Sequence, residues 1–196
     1  MKIIGLTGPT GSGKSTVAAL AEKNGFAIID CDVEARKAVE KGSEGLKAVC
    51  NAFGDDILLS DGTLNRRLLA KKAFSTSVET ERLNRTLLPF IVERINRKIS
   101  ELEGEGAKKI MLDAPTLYES GADRICDGVI AVLCEDKLRR KRIIERDGLT
   151  EKEADIRLAA SKPDRFYKER TEHIIYNNGD MEKVSKEAEL ILSKLI

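Results

Sequence analysis

The sequence has 196 residues, which allows one domain with a sizeable core and a smaller subdomain or lid but leaves little room for two full domains. Its 34 basic and 33 acidic residues nearly cancel, so a net charge of +1 gives no general attraction to nucleic acids or acidic membranes. Four dispersed cysteines and a single histidine argue against a zinc site or a disulfide framework, and no apolar stretch is long enough to cross a membrane. These features predict a cytoplasmic protein.

Five short apolar runs are predicted strands. They are "KIIGL" (2–6), "FAIID" (26–30), "KKIMLD" (108–113), "GVIAVL" (128–133) and "EHIIYN" (172–177). Each is rich in Ile, Val and Leu without strict alternation, which is typical of strands buried on both faces of a parallel sheet. Helical patterns lie between them, at 16–24 and 136–146, and a closing amphipathic helix is predicted over 181–196. The alternation predicts an α/β fold with a five-stranded parallel sheet.

Two connections are too long for simple crossovers. Between Asp30 and Lys108 only helical patterns occur, so residues 33–106 are predicted to form a helical subdomain inserted into the sheet topology. A second, charged insertion over 138–168 precedes the fifth strand and is a predicted lid. The domain prediction is therefore a single domain, 1–196, that carries both insertions.

A glycine-rich stretch follows the first predicted strand and opens the first predicted helix. Residues 8–15, "GPTGSGKS", fit the pattern G-x-x-x-x-G-K-[S/T]. Glycines let successive backbone amides turn inward around an anion, and the helix N-terminus adds its positive end. The predicted ATP-binding residues are Gly8, Pro9, Thr10, Gly11, Ser12, Gly13, Lys14, Ser15 and Thr16. Lys14 is expected to reach the β- and γ-phosphates and Ser15 to ligate Mg²⁺. The motif, lying between a strand and a helix, predicts a three-layer α/β/α fold of the P-loop NTPase class.

Phosphate binding alone leaves several functions open. The chain has no N-K-x-D motif for reading a guanine base, and Asp113 is followed by "AP" instead of the glutamate that ABC-type ATPases require. A small-molecule kinase with a helical acceptor region and a lid remains. The alternatives are another nucleoside or nucleotide kinase of this fold, and a nucleotide-binding regulator without turnover.

Carboxylates follow two of the predicted strands. Asp30 and Asp32 lie at the carboxyl end of the second strand, where ligands bind in open parallel sheets, and either one can accept the proton of an attacking hydroxyl. The alternative for Asp32 is that it caps a helix beginning at Val33. Asp113, at the end of the third strand, is a predicted Mg²⁺-orienting carboxylate or else a local cap.

Seven stretches are spread along nearly the whole chain: "GLTGPTGSGKST", "IIDCDVEARKAVEKG", "DGTLNRRLLAKKAF", "LNRTLLP", "LDAPTLYE", "RDGLTEKEADIRLAAS" and "IIYNNG". In their order and spacing these motifs resemble the dephospho-CoA kinase family. The sequence departs from the family pattern at Leu88, Thr116, Lys162 and in "EH" at 172–173.

The resemblance implies transfer of the ATP γ-phosphoryl to the ribose 3′-hydroxyl of dephospho-CoA, with Mg²⁺ as cofactor, in a monomer or weak homo-oligomer. It implies that Asp32 is the base and that residues 33–106 bind the CoA moiety. The implied acceptor contacts are Thr7, Arg66, Asn84, Pro115, Leu117 and Glu119. Arg66 suits a phosphate of the acceptor because a guanidinium makes paired hydrogen bonds, although on the residues alone it fits a solvent-facing helix position.

Further predicted contacts lie in the last third of the chain. Arg142 and Arg146 are four residues apart and share one helix face beside the predicted lid, where they can neutralise charge on the transferring phosphoryl group. Their alternative is a solvated helix face. Asn177 is a predicted adenine contact, or else a turn residue in "NNG".

Overall fold

A five-stranded parallel sheet organises the chain in this computed structural model, which describes residues 1–195. The strands are β1 (Lys2–Thr7), β2 (Ala27–Asp30), β3 (Lys109–Asp113), β4 (Gly128–Leu133) and β5 (His173–Tyr176), in the spatial order β2-β3-β1-β4-β5. All five strands predicted from the sequence are confirmed. The central strands are almost wholly buried, as their continuous apolar runs indicate.

The register of the sheet brings several strand ends to one edge. Leu6 of β1 lies opposite Asp113 of β3, Thr7 lies opposite Ala131 of β4, and Leu133 lies opposite Tyr176 of β5. Because these strands run parallel, the segments that follow β1, β3, β4 and β5 all emerge at the carboxyl edge, where ligands bind in open α/β sheets.

Helices make up most of the remaining structure. They are α1 (Lys14–Lys23), α2 (Cys31–Lys37), α3 (Glu44–Phe53), α4 (Arg66–Ala73), α5 (Ser77–Gly104), α6 (Asp136–Asp147), α7 (Glu151–Ala159), α8 (Asp164–Lys168) and α9 (Met181–Leu195). Apolar side chains of α1 and α9 join those of the sheet in one buried cluster, which includes Val17 and Val184. The predicted closing helix is confirmed, and its predicted last residue, Ile196, lies outside the described residues. None of the helices described here has the apolar length that a membrane span requires.

Contacts within the chain define two compact units. One comprises Met1–Ile29 and the described chain from Leu102 onward, and it holds most of the sheet. The other is Asp30–Glu101, a helical unit with a core of its own, whose buried members include Val49, Ile57 and Leu69. The predicted roles of residues 33–106 as an acceptor subdomain and of 138–168 as a lid stay predictions.

A buried carboxylate anchors α2 within the helical unit. Glu34 is only 6% exposed, and it accepts hydrogen bonds from Lys37 Nζ at 2.9 Å and from Arg94 Nε of α5 at 3.1 Å. Burial raises the pKa of Glu34, but the hydrogen bonds and charges of Lys37 and Arg94 outweigh that effect and hold its pKa below the usual value. The ion pair fixes the orientation of α2, the helix that carries Asp32.

Candidate active site

The predicted phosphate loop is a set of tight turns between β1 and α1. The Ser12 amide donates to the Pro9 carbonyl at 3.2 Å, and the Thr16 amide donates to the Gly13 carbonyl at 3.0 Å. Gly13, at φ 87°, is the N-cap of α1, so Lys14, Ser15 and Thr16 form the first helical turn. An anion at this position meets both loop amides and the positive end of the helix, which is a fit for a polyphosphate.

Gly8 lets the loop pass directly against β4. Its φ is 148°, and a Cβ built on it would lie 2.2 Å from the Val132 carbonyl oxygen, which is backbone and cannot swing away. Any side chain at this position must therefore displace the loop or the strand.

We expect Gly8→Ala to lower the free energy of unfolding by roughly 1–3 kcal/mol and to weaken ATP binding, because the loop must move away from Val132. Denaturant unfolding and calorimetric titration with Mg·ATP measure the two effects. Gly104→Ala is the matched control, since Gly104 lies in α5, has ordinary φ and has no neighbour within 4 Å of a new Cβ. Equal ATP affinity in Gly8→Ala and the wild type would contradict this account of the loop.

Lys14 forms an ion pair with a carboxylate from the neighbouring strand. Its Nζ donates to Asp113 Oδ1, and both side chains are more than four-fifths buried. Asp113 is the last residue of β3, so the pair lies at the carboxyl edge of the sheet. The structure therefore brings together two of the predicted site residues, one from the ATP-binding set and one from the metal-binding set.

The two predicted metal ligands differ in their surroundings. Ser15 is exposed in the first turn of α1, whereas Asp113 is held by Lys14. Within residues 1–195, no group of three or more His, Cys, Asp or Glu side chains is placed to hold a metal ion by itself. A hydroxyl and a carboxylate are oxygen donors of the kind that Mg²⁺ prefers, so the predicted pair fits that ion in its chemistry.

Arg142 lies against the phosphate loop and against the residue that follows β5. It donates to the carbonyls of Gly11 at 3.4 Å and Ser12 at 3.2 Å, and to both the carbonyl and the side-chain oxygen of Asn177, at 3.1 and 3.2 Å. Asn177 is 2% exposed, and its backbone amide donates to the Leu133 carbonyl of β4. The predicted catalytic residue Arg142 and the predicted adenine contact Asn177 are therefore bonded to each other, and Arg142 is also bonded to the loop.

Arg146, one turn further along α6, has different partners. Its guanidinium makes two hydrogen bonds to the neighbouring Asp147, at 2.8 and 2.9 Å, and its side chain is 61% exposed. Arg157 of α7 also donates to Asp147. Arg142 and Arg146 thus share a helix face as predicted from their spacing, but only Arg142 contacts the loop in the described chain.

The acceptor contacts predicted beside β1 and β3 occupy unlike environments. Thr7 is fully buried and donates to the Pro115 carbonyl at 3.2 Å. Leu117 is also fully buried and packs on Gly5 of β1, so its side chain belongs to the core and only its backbone could meet a ligand. Glu119 is exposed.

A groove in the helical unit contains two more of the predicted acceptor residues. Asp32 and Arg66 both line it, in a volume of about 310 Å³, and Arg66 donates to the Arg36 carbonyl at 3.4 Å. The rest of the lining is mostly apolar: Ala35, Val39, Leu64, Leu69, Ala70, Phe74, Leu83, Leu87 and Ile91. The groove therefore combines a carboxylate and arginines with a wide apolar wall. Asn84 is exposed on α5 and is not part of the groove lining in the described chain.

The cap of α2 is Asp30, not Asp32. The helix begins at Cys31, and the Val33 amide donates to Asp30 Oδ1 at 3.0 Å. The alternative that Asp32 caps a helix beginning at Val33 is therefore wrong, because the helix starts two residues earlier and its capping position is already filled. Asp32 lies in the first helical turn and lines the groove.

Arg139 also contacts the loop, although it is not among the residues predicted for the site. It is only 4% exposed and donates through Nε to the Thr10 carbonyl of the loop at 2.9 Å. Its position three residues before Arg142 puts it on the same helix side, and this spacing is the signal that could have identified it.

Comparisons with known proteins agree with this arrangement. The sequence profile of the dephospho-CoA kinase family matches residues 2–183. A dephospho-CoA kinase of Corynebacterium efficiens is 42% identical over 193 residues, covering 98% of this chain and 96% of its own length. One from Enterococcus faecalis is 37% identical over 195 residues, covering 100% and 98%.

Solved structures have the same fold. A crystal structure from Thermus thermophilus has a TM-score of 0.83 at 31% identity, covering 100% of this chain and 98% of its own. A dephospho-CoA kinase of Campylobacter jejuni, at 24% identity, has a TM-score of 0.68 with the same coverage of both chains. A shikimate kinase of Acinetobacter baumannii, at 18% identity and a TM-score of 0.52, shares the P-loop kinase fold. With its phosphate loop, its parallel sheet and a family match over nearly its whole length, the chain belongs to the dephospho-CoA kinase family.

Proposed function

We propose that the protein transfers the γ-phosphoryl group of ATP to the ribose 3′-hydroxyl of dephospho-CoA, giving coenzyme A and ADP. The observation that carries the proposal is the family match over residues 2–183, which includes both the loop at 8–15 and the groove of the helical unit.

ATP binds at the phosphate loop in this proposal. The amides of residues 8–16 and the Lys14 ammonium hold the terminal phosphates, and Asn177 contacts the adenine. Lys14 leaves Asp113 to meet the transferring group, where its charge stabilises the transition state. Ser15 and Asp113 would hold Mg²⁺, and the bound ion would supply neutralisation of phosphate charge and orientation of the phosphoryl group.

The acceptor binds in the groove of the helical unit. Asp32 takes the proton of the 3′-hydroxyl as its oxygen attacks, and Arg66 pairs with a phosphate of the acceptor. The apolar wall is suited to the uncharged parts of the acceptor, since covering it removes apolar surface from water. The remaining proposed contacts are Thr7, Asn84, Pro115, Leu117 and Glu119.

The insertion at 138–168 is the proposed lid, and Arg146 is its proposed phosphate contact. To serve there Arg146 must leave Asp147, with which it is paired in the structure. The same role is predicted for Arg142, but its bonds to loop carbonyls favour a positioning role.

The amino-acid composition bears on which partners the protein binds and where it acts. A near-zero net charge suits a small-molecule kinase that does not bind nucleic acid. We place it in the cytoplasm, as a monomer or weak homo-oligomer.

An acceptor panel tests the proposed function. Purified protein with Mg·ATP is assayed for ADP formation with dephospho-CoA, with adenosine, with other nucleosides and nucleotides, and without acceptor, and the product is identified by mass. We expect dephospho-CoA to give the highest kcat/KM and coenzyme A as product. A higher kcat/KM for another acceptor would indicate a different kinase of this fold, and ATP binding without acceptor-dependent ADP would indicate a regulator.

A further inference from the structure

Two arginines of α6 contact three consecutive carbonyls of the phosphate loop. Arg139 Nε donates to Thr10 at 2.9 Å, and Arg142 Nη1 donates to Gly11 and Ser12 at 3.4 and 3.2 Å. We infer that Arg139 and Arg142 are positioning residues that hold the loop in its phosphate-binding conformation, an inference that rests on the proposed function in taking ATP as the ligand.

The planarity of the peptide bond connects these contacts to phosphate binding. In a trans peptide the carbonyl and the following amide point in opposite directions. Fixing the carbonyls of Thr10 and Ser12 on the arginine side therefore turns the amides of Gly11 and Gly13 to the opposite side. The intervening Ser12 amide is already used by the Pro9 carbonyl. The two arginines thus set the direction of amides that an anion needs.

The backbone of α6 packs directly on the loop. A Cβ on Gly11 would lie 2.8 Å from the Arg139 carbonyl oxygen and 3.2 Å from its Cα. The Ile143 side chain lies against the same point, with its Cγ1 at 3.1 Å from that Cβ, so Arg139 turns back onto Thr10 from a helix already in contact with the loop. The arrangement leaves the loop little freedom to move relative to α6.

Arg139 has few other partners. Its Nη1 donates to Asp136, which is 79% exposed, at 2.7 Å. Its Nη2 is buried and has no hydrogen-bond partner in residues 1–195. Burying a guanidinium with one nitrogen unsatisfied is unfavourable. We therefore attribute the burial of Arg139 to its hydrogen bond with the Thr10 carbonyl.

Three substitutions of Arg139 distinguish the effect of its Nε donor from the effect of its positive charge. Gln places its amide nitrogen where Arg has Nε, so Arg139→Gln keeps a donor for Thr10 without the charge. Lys has a methylene at the same place, so Arg139→Lys keeps the charge and loses that donor. Arg139→Met fills similar space with neither. Lys137→Gln, an exposed site on the same helix, is the control for loss of charge.

Calorimetric binding of Mg·ATP to each intact variant tests the inference. We expect Arg139→Met and Arg139→Lys to weaken ATP binding by about tenfold, the loss of one charge-assisted hydrogen bond, with Arg139→Gln and Lys137→Gln close to wild type. Wild-type affinity in Arg139→Lys, or in Arg139→Met, would overturn the inference, as would equal weakening in Arg139→Gln and Arg139→Lys. Arg139→Lys and Arg139→Gln suffice if Arg139→Met does not fold.

Kinetics give a second readout. The KM for ATP should rise in Arg139→Lys with little change in kcat or in the KM for dephospho-CoA, because the loop binds phosphates in both the ground state and the transition state. A purely structural role would instead lower the melting temperature and leave the KM for ATP unchanged. Absence of transfer in the wild type would refute the proposed function, while the ATP-binding comparison would still decide the role of Arg139.

Discussion

Replacing Lys14 with alanine should lower kcat by roughly a hundredfold or more, which corresponds to about 3 kcal/mol of lost transition-state stabilisation. The ammonium is the one loop charge predicted to contact the transferring group, and it lies in a largely buried site where water screens it poorly. ATP binding should weaken less than kcat falls, since the loop amides remain. Steady-state kinetics with saturating ATP and dephospho-CoA, together with calorimetric ATP titration, measure both.

Lys14 also neutralises Asp113, so its loss leaves a partly buried carboxylate without its partner and can destabilise the fold. Thermal unfolding of Lys14→Ala separates that effect from catalysis. Lys23→Ala is the matched control because it removes the same charge from the exposed last turn of the same helix. A wild-type kcat in Lys14→Ala would show that the loop does not deliver this charge to the reaction.

Much of the fold could be predicted because local patterns and long-range structure agree here. Buried parallel strands require continuous apolar runs, and those runs marked all five strands, including the short β5. Strand order, by contrast, depends on which strands pair. Nothing within "KIIGL" records that β1 lies between β3 and β4, so the order was found only in the structure.

The phosphate loop could be predicted because its conformation needs glycines at fixed positions, and that pattern is visible in the sequence. The loop partners of Arg139 and Arg142 are backbone carbonyls, which carry no sequence signal, so "LRRKR" could be interpreted as a solvated helix face. The alternative that Asp32 caps α2 is wrong for a similar reason: Asp30 and Asp32 are both good capping residues, and only the start of the helix distinguishes them.

Asp32→Asn should slow phosphoryl transfer severely while leaving ATP affinity close to that of the wild type. Asparagine has nearly the same shape as aspartate but cannot accept the proton of the acceptor hydroxyl, so the loss falls on the chemical step. A fall in kcat of roughly a hundredfold or more is expected for loss of a general base. Single-turnover transfer assays, with ATP affinity measured calorimetrically, separate chemistry from binding.

Asp30→Asn is the decisive comparison. It removes the same charge two residues earlier, and asparagine caps helices as well as aspartate does, so α2 should keep its start and its tie to α5 through Glu34. If Asp30 only caps α2 and Asp32 takes the proton, as proposed, Asp30→Asn stays active and Asp32→Asn does not. The opposite result would make Asp30 the base, and full activity in both variants would mean that neither carboxylate takes the proton.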